Sequence, residues 1–189
     1  MVEVWTDGSC LGNPGKGGWA FLVEKENETL ESSGGEKITT NNKMELIAVI
    51  KALNYLKENN IKDVKINLDS QYVKNGIEIW INNWKKNNWK TSNKKEVKNQ
   101  ELWIRLDELV KDFNISWNWV RGHDGNKNNE IVDKLARLEA TNQWFKNLFK
   151  IDIHILTLIK LIEFSSYIDK VYNFVYYKEY DKIYERSFW

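Results

Sequence analysis

The pattern of apolar and polar residues predicts β-strands in three parts of the chain. The first part is a hairpin of two β-rich runs, residues 2–6 and 19–23, with a glycine-bearing connection between them. Residues 64–68 and 115–119 alternate between apolar and polar and predict two further strands, the first of them half-buried. A polar stretch, residues 29–35, separates the hairpin from the first predicted helix.

Apolar residues at helical spacing predict helices between and after these strands. The clearest helix covers about residues 43–58, and further helices are expected over 70–84, 100–112 and 129–140. Strands that alternate with helices indicate an α/β fold, in which helices cover both faces of one sheet. Trp117 and Trp119 share one face of the last strand, so both are expected in the core.

Composition fits a globular protein of ordinary size. The chain has 189 residues, of which 42% are hydrophobic and 29% charged, and its single cysteine, Cys10, excludes an internal disulfide. Residues 1–7 lack the basic and apolar regions of a secretory signal, so we expect a cytoplasmic protein. The net charge is only +1, but residues 80–100 hold six lysines and one acid. Any affinity for polyanions should therefore come from this basic stretch.

The last segment, residues 141–189, differs in character. It holds 13 of the 25 aromatic residues of the chain. Lys160 and Glu163 interrupt its most apolar run, so we expect no transmembrane segment. We expect one or two helices here, which would form an added packing layer, an interface between subunits or a membrane-surface element, in that order of preference.

Four acidic residues stand where an α/β sheet gathers binding groups. Asp7 and Asp69 end two predicted strands, Glu45 lies in the first turn of a helix, and Asp133 follows the last strand on another helix. Unpaired carboxylates that converge would repel one another, and a hard divalent cation removes that conflict. All-oxygen ligands favour Mg²⁺ or Mn²⁺, and two such ions about 4 Å apart are a recurring device of phosphodiester chemistry.

Each acid also has a purely structural interpretation. Asp7 begins an Asp-Gly turn pair, and Glu45, three residues after Asn42, is placed to close a capping box. Asp69 or its neighbour Ser70 is placed to cap a helix.

Asp133 is the fourth case. It lies four residues before Arg137, the spacing of a surface ion pair.

The residues around these acids resemble the signature blocks of type 1 ribonuclease H, especially its bacterial form. The blocks are Thr6 to Gly15, Thr40 to Leu46, Asp69 to Val73, and Gly122-His123 with Asn129-Glu130 and Asp133. The resemblance covers residues 1–140. It implies a five-stranded mixed sheet flanked by helices, with residues 141–189 as an extension of unknown role.

The resemblance also implies an activity. Such an enzyme is an endonuclease that cuts the RNA strand of RNA/DNA hybrids and leaves 5′-phosphate and 3′-hydroxyl ends, in primer and hybrid removal during DNA replication and repair. By motif match, Asp7, Glu45, Asp69 and Asp133 would hold two Mg²⁺ ions, with Mn²⁺ as a substitute. Asp7 would bridge both ions, and Asp133 would be the most peripheral ligand.

A loop histidine completes the implied catalytic set. His123 is expected to transfer protons or assist product release, since an imidazole titrates near neutral pH; its alternative is a solvated loop residue. Asp124 beside it would raise the histidine pKa. With this loop and all four acids present, the pattern favours ribonuclease H over a transposase catalytic core. A catalytically silent hybrid-binding module remains the alternative of another class.

Substrate contacts are implied at three groups of residues. Amides beside the acids suit recognition of the RNA 2′-hydroxyl, the group that distinguishes the two strands. Lysines of the basic stretch suit phosphates, and its tryptophans either pack the protruding helix, as preferred for Trp80, or contact the DNA strand. The implied contacts are Cys10, Gly12, Asn13, Thr40, Asn41, Asn42, Gln71, Trp84, Lys85, Lys86, Trp89 and Lys90. For Asn41 and Asn42, helix capping is the competing interpretation. We expect a monomer, with residues 141–189 as the candidate surface for self-association.

Overall fold

The computed structural model describes residues 1–26, 28–122 and 124–148, and these form an α/β fold around one five-stranded sheet. The strands are β1 (Val2–Leu11), β2 (Gly15–Lys25), β3 (Glu28–Thr39), β4 (Asp63–Leu68) and β5 (Asn114–Trp119). The α-helices are α1 (Asn41–Glu58), α2 (Gln71–Asn75), α3 (Ile81–Lys86), α4 (Gln100–Leu109) and α5 (Lys127–Leu148). A π-helical segment, Gly76–Trp80, joins α2 to α3, and a 3-10 segment, Val110–Asp112, extends α4.

The sheet is mixed, as the resemblance implied. Its strand order is β3-β2-β1-β4-β5. The first three strands pair antiparallel, whereas β4 is parallel to both β1 and β5. The three parallel strands point their carboxyl ends to the same edge of the sheet, which is the usual place for a binding site in α/β proteins.

Helices cover both faces of the sheet. The larger hydrophobic cluster packs α1 and α4 against one face, through fully buried side chains such as Leu46, Leu53, Ile66 and Trp103. On the opposite face, Val132 and Ala136 of α5 pack against Trp5, Ala20 and Leu22. The close approach of α5 depends on Gly18, since a Cβ atom there would lie 2.1 Å from the carbonyl oxygen of Ala136.

Several predicted boundaries were wrong. The polar stretch 29–35 belongs to β3, an edge strand that carries polar side chains because much of its surface faces water. Helix α5 begins two residues earlier than predicted and continues to Leu148, past the predicted end at 140. The helix predicted over 70–84 is divided by its π-helical segment.

Trp119 was also misplaced. It is 39% exposed at the end of β5, whereas Trp117 is partly buried against the larger hydrophobic cluster as expected. Alternation alone therefore overestimated the burial of the last residue of β5.

Within the described residues, no helix combines the length and the apolar character that crossing a bilayer requires.

Candidate active site

Parallel pairing of β1 and β4 places two of the predicted acids side by side. Thr6 is in register with Leu68. Asp7 follows Thr6 within β1, which stays paired to Leu11, so the turn interpretation of Asp7-Gly8 is wrong, and Asp69 is the first residue after β4. Residues in register on neighbouring parallel strands lie about 4.8 Å apart. The two carboxylates therefore meet at the carboxyl edge of the sheet through backbone geometry alone.

A glycine brings the third acid to them. Helix α1 crosses the end of β1 so closely that a Cβ atom on Gly8 would lie 2.2 Å from the backbone nitrogen of Glu45. The capping-box interpretation of Glu45 is wrong, because the helix begins earlier and Thr40 is its N-cap, accepting a hydrogen bond from the backbone N–H of Lys43 at 3.4 Å. Capping by Asn41 or Asn42 is excluded on the same ground.

The three carboxylates form one compact cluster. An oxygen of each of Asp7, Glu45 and Asp69 lies within 4.8 Å of one from each of the others. Asp7 and Glu45 are buried, with 5% and 6% of their surface exposed. Such a spacing suits shared coordination of a hard cation by oxygen ligands.

Burial and mutual repulsion both raise the pKa values in this cluster. Desolvation raises the pKa of Asp7 well above its ordinary value, and the charges of Asp69 and Asp133 raise it further, while the Gly8 backbone N–H and Arg137 lower it. Desolvation likewise raises the pKa of Glu45, with Asp7 and Asp69 adding to it and the Gly8 backbone and Asn41 side chain opposing it. The cluster therefore resists ionisation until a cation compensates its charge.

Asp69 is held from several sides. Its neighbour Ser70, and not Asp69, is the N-cap of α2, because the Ser70 hydroxyl accepts a hydrogen bond from the backbone N–H of Val73. The Asn129 side-chain amide donates to Asp69 Oδ2 at 3.1 Å, and Trp119 Nε1 donates to the Asp69 carbonyl at 3.0 Å. The carboxylate is thus left to face the cluster.

Asp133 both forms an ion pair and lines the cleft of the clustered acids. Its Oδ1 lies 3.2 Å from Arg137 Nε, so the ion pair expected from the i,i+4 spacing forms. Asp133 and Arg137 also line the same cleft as the three clustered acids. Asp133 lies outside the three-carboxylate cluster, and its role as a peripheral metal ligand stays a prediction.

The carboxylates lie in an open, polar cleft. Its volume is about 460 Å³, and its walls carry Asn41, Asn42 and Gln71 beside the acids. A second groove has a volume of about 510 Å³. It runs from the first loop, which joins β1 to β2, past the start of α1 to the end of the basic stretch, and its lining includes Asn13, Thr40, Asn42, Tyr72, Lys98 and Asn99. Asn42 and Tyr72 line both depressions, so the polar surface continues from the acids to the end of the basic stretch.

The first loop brings its predicted residues beside α1. Asn13 Oδ1 accepts a hydrogen bond from the Asn41 backbone N–H at 3.4 Å. Cys10 is partly buried, and its thiol donates to the carbonyl of Gly12 at 2.7 Å. The structure therefore places Asn13 beside Asn41 and Cys10 beside Gly12.

Tryptophans of the basic stretch are used in packing. The Trp84 ring lies 5.6 Å from Trp80 and 5.5 Å from Trp103, and both Trp84 and Trp89 pack partly buried against the larger hydrophobic cluster. The packing interpretation of Trp80 is therefore correct. Contacts of Trp84 and Trp89 with DNA stay a prediction.

The lysines of this stretch point to solvent. Lys85, Lys86 and Lys90 are exposed, and Lys85 forms an ion pair with Asp107 at 2.8 Å. Exposure leaves these side chains accessible to phosphates.

Two predicted features lie outside the described residues. His123 is one, and residues 149–189 of the predicted extension are the other. Around His123, a Cβ atom on Gly122 would lie 2.8 Å from Asp69 Oδ2, and Asp124 is exposed. The loop backbone therefore passes directly beside the carboxylate cluster.

Sequence reasoning missed several residues that shape the site. Asn129, Gly122 and Gly8 stand within the signature blocks, and that position was a signal for them. Arg137 was considered only as a surface partner, although its charge reaches Asp7. Trp119 had no distinguishing signal, since its alternation matched that of a core residue.

Comparison with known proteins agrees with this geometry. The RNase H family model matches residues 1–141. Ribonuclease HI of Pasteurella multocida is 55% identical over 142 residues, which cover 75% of this chain and 91% of the relative. Among solved structures, LC9-RNase H1, a type 1 RNase H with the type 2 active-site motif, is 32% identical with a TM-score of 0.69, covering 75% of this chain and 72% of that one.

A more distant structure shares the fold. LC11-RNase H1, solved in complex with an RNA/DNA hybrid, is 23% identical with a TM-score of 0.58, and the match covers 75% of this chain and 98% of that one. Sequence, fold and the clustered acids agree, and the chain belongs to the RNase H family, with the bacterial type 1 enzymes as its relatives.

Proposed function

We propose that this protein hydrolyses the RNA strand of RNA/DNA hybrids at its carboxylate cluster, with two Mg²⁺ ions. The observation that carries the proposal is the approach of Asp7, Glu45 and Asp69 to within 4.8 Å in a cleft open to a large substrate. Removal of RNA primers and stray hybrids during replication and repair would follow from this activity. A cytoplasmic location stays a prediction, as does the monomeric state.

The donor set fits divalent metal ions. All the ligand atoms are carboxylate oxygens, which Mg²⁺ and Mn²⁺ prefer, and the raised pKa values of Asp7 and Glu45 reflect a charge that needs a cation. Asp7 in β1 would be the central ligand of the ions, Glu45 and Asp69 would hold them with it, and Asp133 would be the most peripheral ligand. When bound, such ions activate a water molecule and stabilise the charge that develops on the leaving oxygen.

Other residues would hold the hybrid and select the RNA strand. Asn41, Asn42 and Gln71 border the carboxylates, where side-chain amides can both donate to and accept from a 2′-hydroxyl. Asn13 and Thr40 line the adjoining groove. A DNA strand lacks the hydroxyl, so it would leave these amides without partners and would be cleaved poorly.

The basic stretch would grip the backbone of the hybrid. The groove leads from Asn42 to Lys98, at the end of this stretch. Lys86 and Lys90, earlier in the same stretch, are exposed. Lysine contacts with phosphates are independent of sequence and weaken with salt. Affinity for hybrids of any sequence is the expected result.

Cleavage of an end-labelled RNA/DNA hybrid by the full chain tests the proposal. We expect cleavage of the RNA strand in Mg²⁺, none after chelation, and none of a DNA duplex. Asp7→Asn should abolish turnover while hybrid binding persists, because the amide keeps the shape of the side chain and loses its charge. Asp112→Asn, at an exposed carboxylate of an ion pair, is the matched control and should cleave normally. Full turnover by Asp7→Asn would refute the assigned role.

A further inference from the structure

Trp119 combines exposure with a specific polar contact at the catalytic edge. It is the last residue of β5, it is 39% exposed, and its Nε1 donates to the carbonyl oxygen of Asp69 at 3.0 Å. Apolar burial is non-directional, so packing alone does not fix which acceptor the indole N–H of Trp119 meets.

This hydrogen bond lies one residue beyond the end of β4. Leu68 ends β4, and its carbonyl accepts the backbone N–H of Val120 at 3.0 Å, a bond of the parallel ladder type. Asp69 lies between the end of β4 and Ser70, the N-cap of α2. The indole N–H therefore continues the hydrogen bonding of the sheet by one residue, to the acid that belongs to the cluster.

We propose that Trp119 is a positioning residue for Asp69, and this proposal rests on the metal-binding role of Asp69 in the proposed function. Asn129 orients the carboxylate through Oδ2, and Trp119 fixes the backbone from which that side chain projects. Partners that orient metal ligands commonly contribute about 10–100-fold to metal affinity or activity.

Trp119→Phe tests the proposal, because it keeps an aromatic ring and removes the donor. Lys74 Nζ lies 5.6 Å from the ring centroid, and that contact can persist in the variant. Mg²⁺ binding to the full chain is measured by calorimetry without substrate, and kcat and KM are measured on the labelled hybrid. We expect Mg²⁺ affinity and kcat to fall about 10-fold or more, with KM nearly unchanged.

Two control variants separate positioning from packing. Trp5→Phe makes a buried side chain smaller, so it should lower the melting temperature. The indole N–H that it removes has no hydrogen-bond partner among the described residues, so Mg²⁺ affinity should not change. Lys74→Met removes the cation over the Trp119 ring and should leave Mg²⁺ affinity and kcat unchanged. A double variant, Trp119→Phe with Asn129→Ala, should be non-additive in Mg²⁺ affinity, since both partners act on Asp69.

The outcomes are distinct. Wild-type Mg²⁺ affinity and kcat in Trp119→Phe would overturn the proposal, as would an equal loss of Mg²⁺ affinity in Trp5→Phe. Lower Mg²⁺ affinity in Trp119→Phe alone would support it even if the wild-type chain failed to cut hybrids. That last result would reject the proposed function while leaving the positioning role intact.

Discussion

At the scale of single residues, the carboxylates of the site lie close enough to repel one another. Asp7 and Glu45 are buried beside each other, and desolvation raises the pKa of both. A carboxyl whose pKa is higher in the folded than in the unfolded state binds more protons when folded, so its contribution to stability is lost as pH rises through the folded pKa. The metal-free protein should therefore lose stability from about pH 4 upward, where carboxyls begin to ionise in the unfolded chain.

Glu45→Gln should relieve this cost. In chelator at pH 7 we expect the variant to be more stable than the wild type by about 0.5–2 kcal/mol, the range common for a single stabilising substitution. The difference should shrink toward pH 4 and with added Mg²⁺. Thermal unfolding across pH measures it, and Glu58→Gln, at the exposed end of α1, is the control. An advantage that grows as pH falls would contradict the assignment.

Gly122 is a second test at this scale. A methyl group there would lie 2.8 Å from Asp69 Oδ2, so Gly122→Ala should displace the carboxylate and lower kcat and Mg²⁺ affinity about 10–100-fold. At Gly125 no atom lies within 4 Å of the place that a Cβ atom would take. Its φ of 76° disfavours side chains, and asparagine is among the residues that adopt this conformation most readily, so Gly125→Asn is the control without a steric clash. Equal activity of Gly122→Ala and wild type would contradict this prediction, because it would show that the loop backbone moves and the Asp69 carboxylate stays in place.

At the scale of elements, aromatic packing supports the basic stretch. Tyr72 lies 5.9 Å from Trp80 and 5.4 Å from Trp103 between ring centroids. Gly76, in the π-helical segment, leaves room for the Trp103 ring, which a Cβ atom there would approach to 1.9 Å. The helices α2 and α3 are thereby fixed against α4, and the lysines that follow project from an anchored base.

Replacing Lys85, Lys86 and Lys90 together by glutamine should raise KM and flatten its dependence on salt. Each lost phosphate contact should reduce the slope of log affinity against log salt by about 0.9. Lys86→Gln alone should cost more affinity than Lys85→Gln, because Lys85 is already paired with Asp107. Lys111→Gln, an exposed lysine outside the stretch, is the control. Steady-state cleavage from low to high salt measures the effect, and an unchanged slope would rule out this stretch as the grip.

At the scale of the whole molecule, the parts needed for the fold and the cluster lie early in the chain. Residues 1–147 form one compact unit, and both hydrophobic clusters belong to it. A chain ending at Leu148 should therefore remain folded and cleave hybrids, because it retains every acid of the site. Circular dichroism and the cleavage assay check this, and light scattering on both chains tests self-association through the extension. Loss of folding in the shortened chain would assign residues 149–189 a structural role.

The amino-acid sequence by itself determined the α/β class, the family and every strand but β3, whose polar residues gave no strand pattern. It also identified the four acids, because strand ends and helix starts follow from local periodicity and from motifs that are contiguous in the chain. Local patterns are sufficient for such features since each depends on neighbours a few residues away.

Only the tertiary structure decided how these residues act together. The register of Thr6 with Leu68, the contact of Gly8 with Glu45 and the bonds from Asn129 and Trp119 to Asp69 join residues far apart in sequence. It assigned the caps to Thr40 and Ser70 and left Glu45 and Asp69 to the cluster. Periodicity along the chain carries no information about which faces meet, so the exposure of Trp119 and the raised pKa values emerged only from packing.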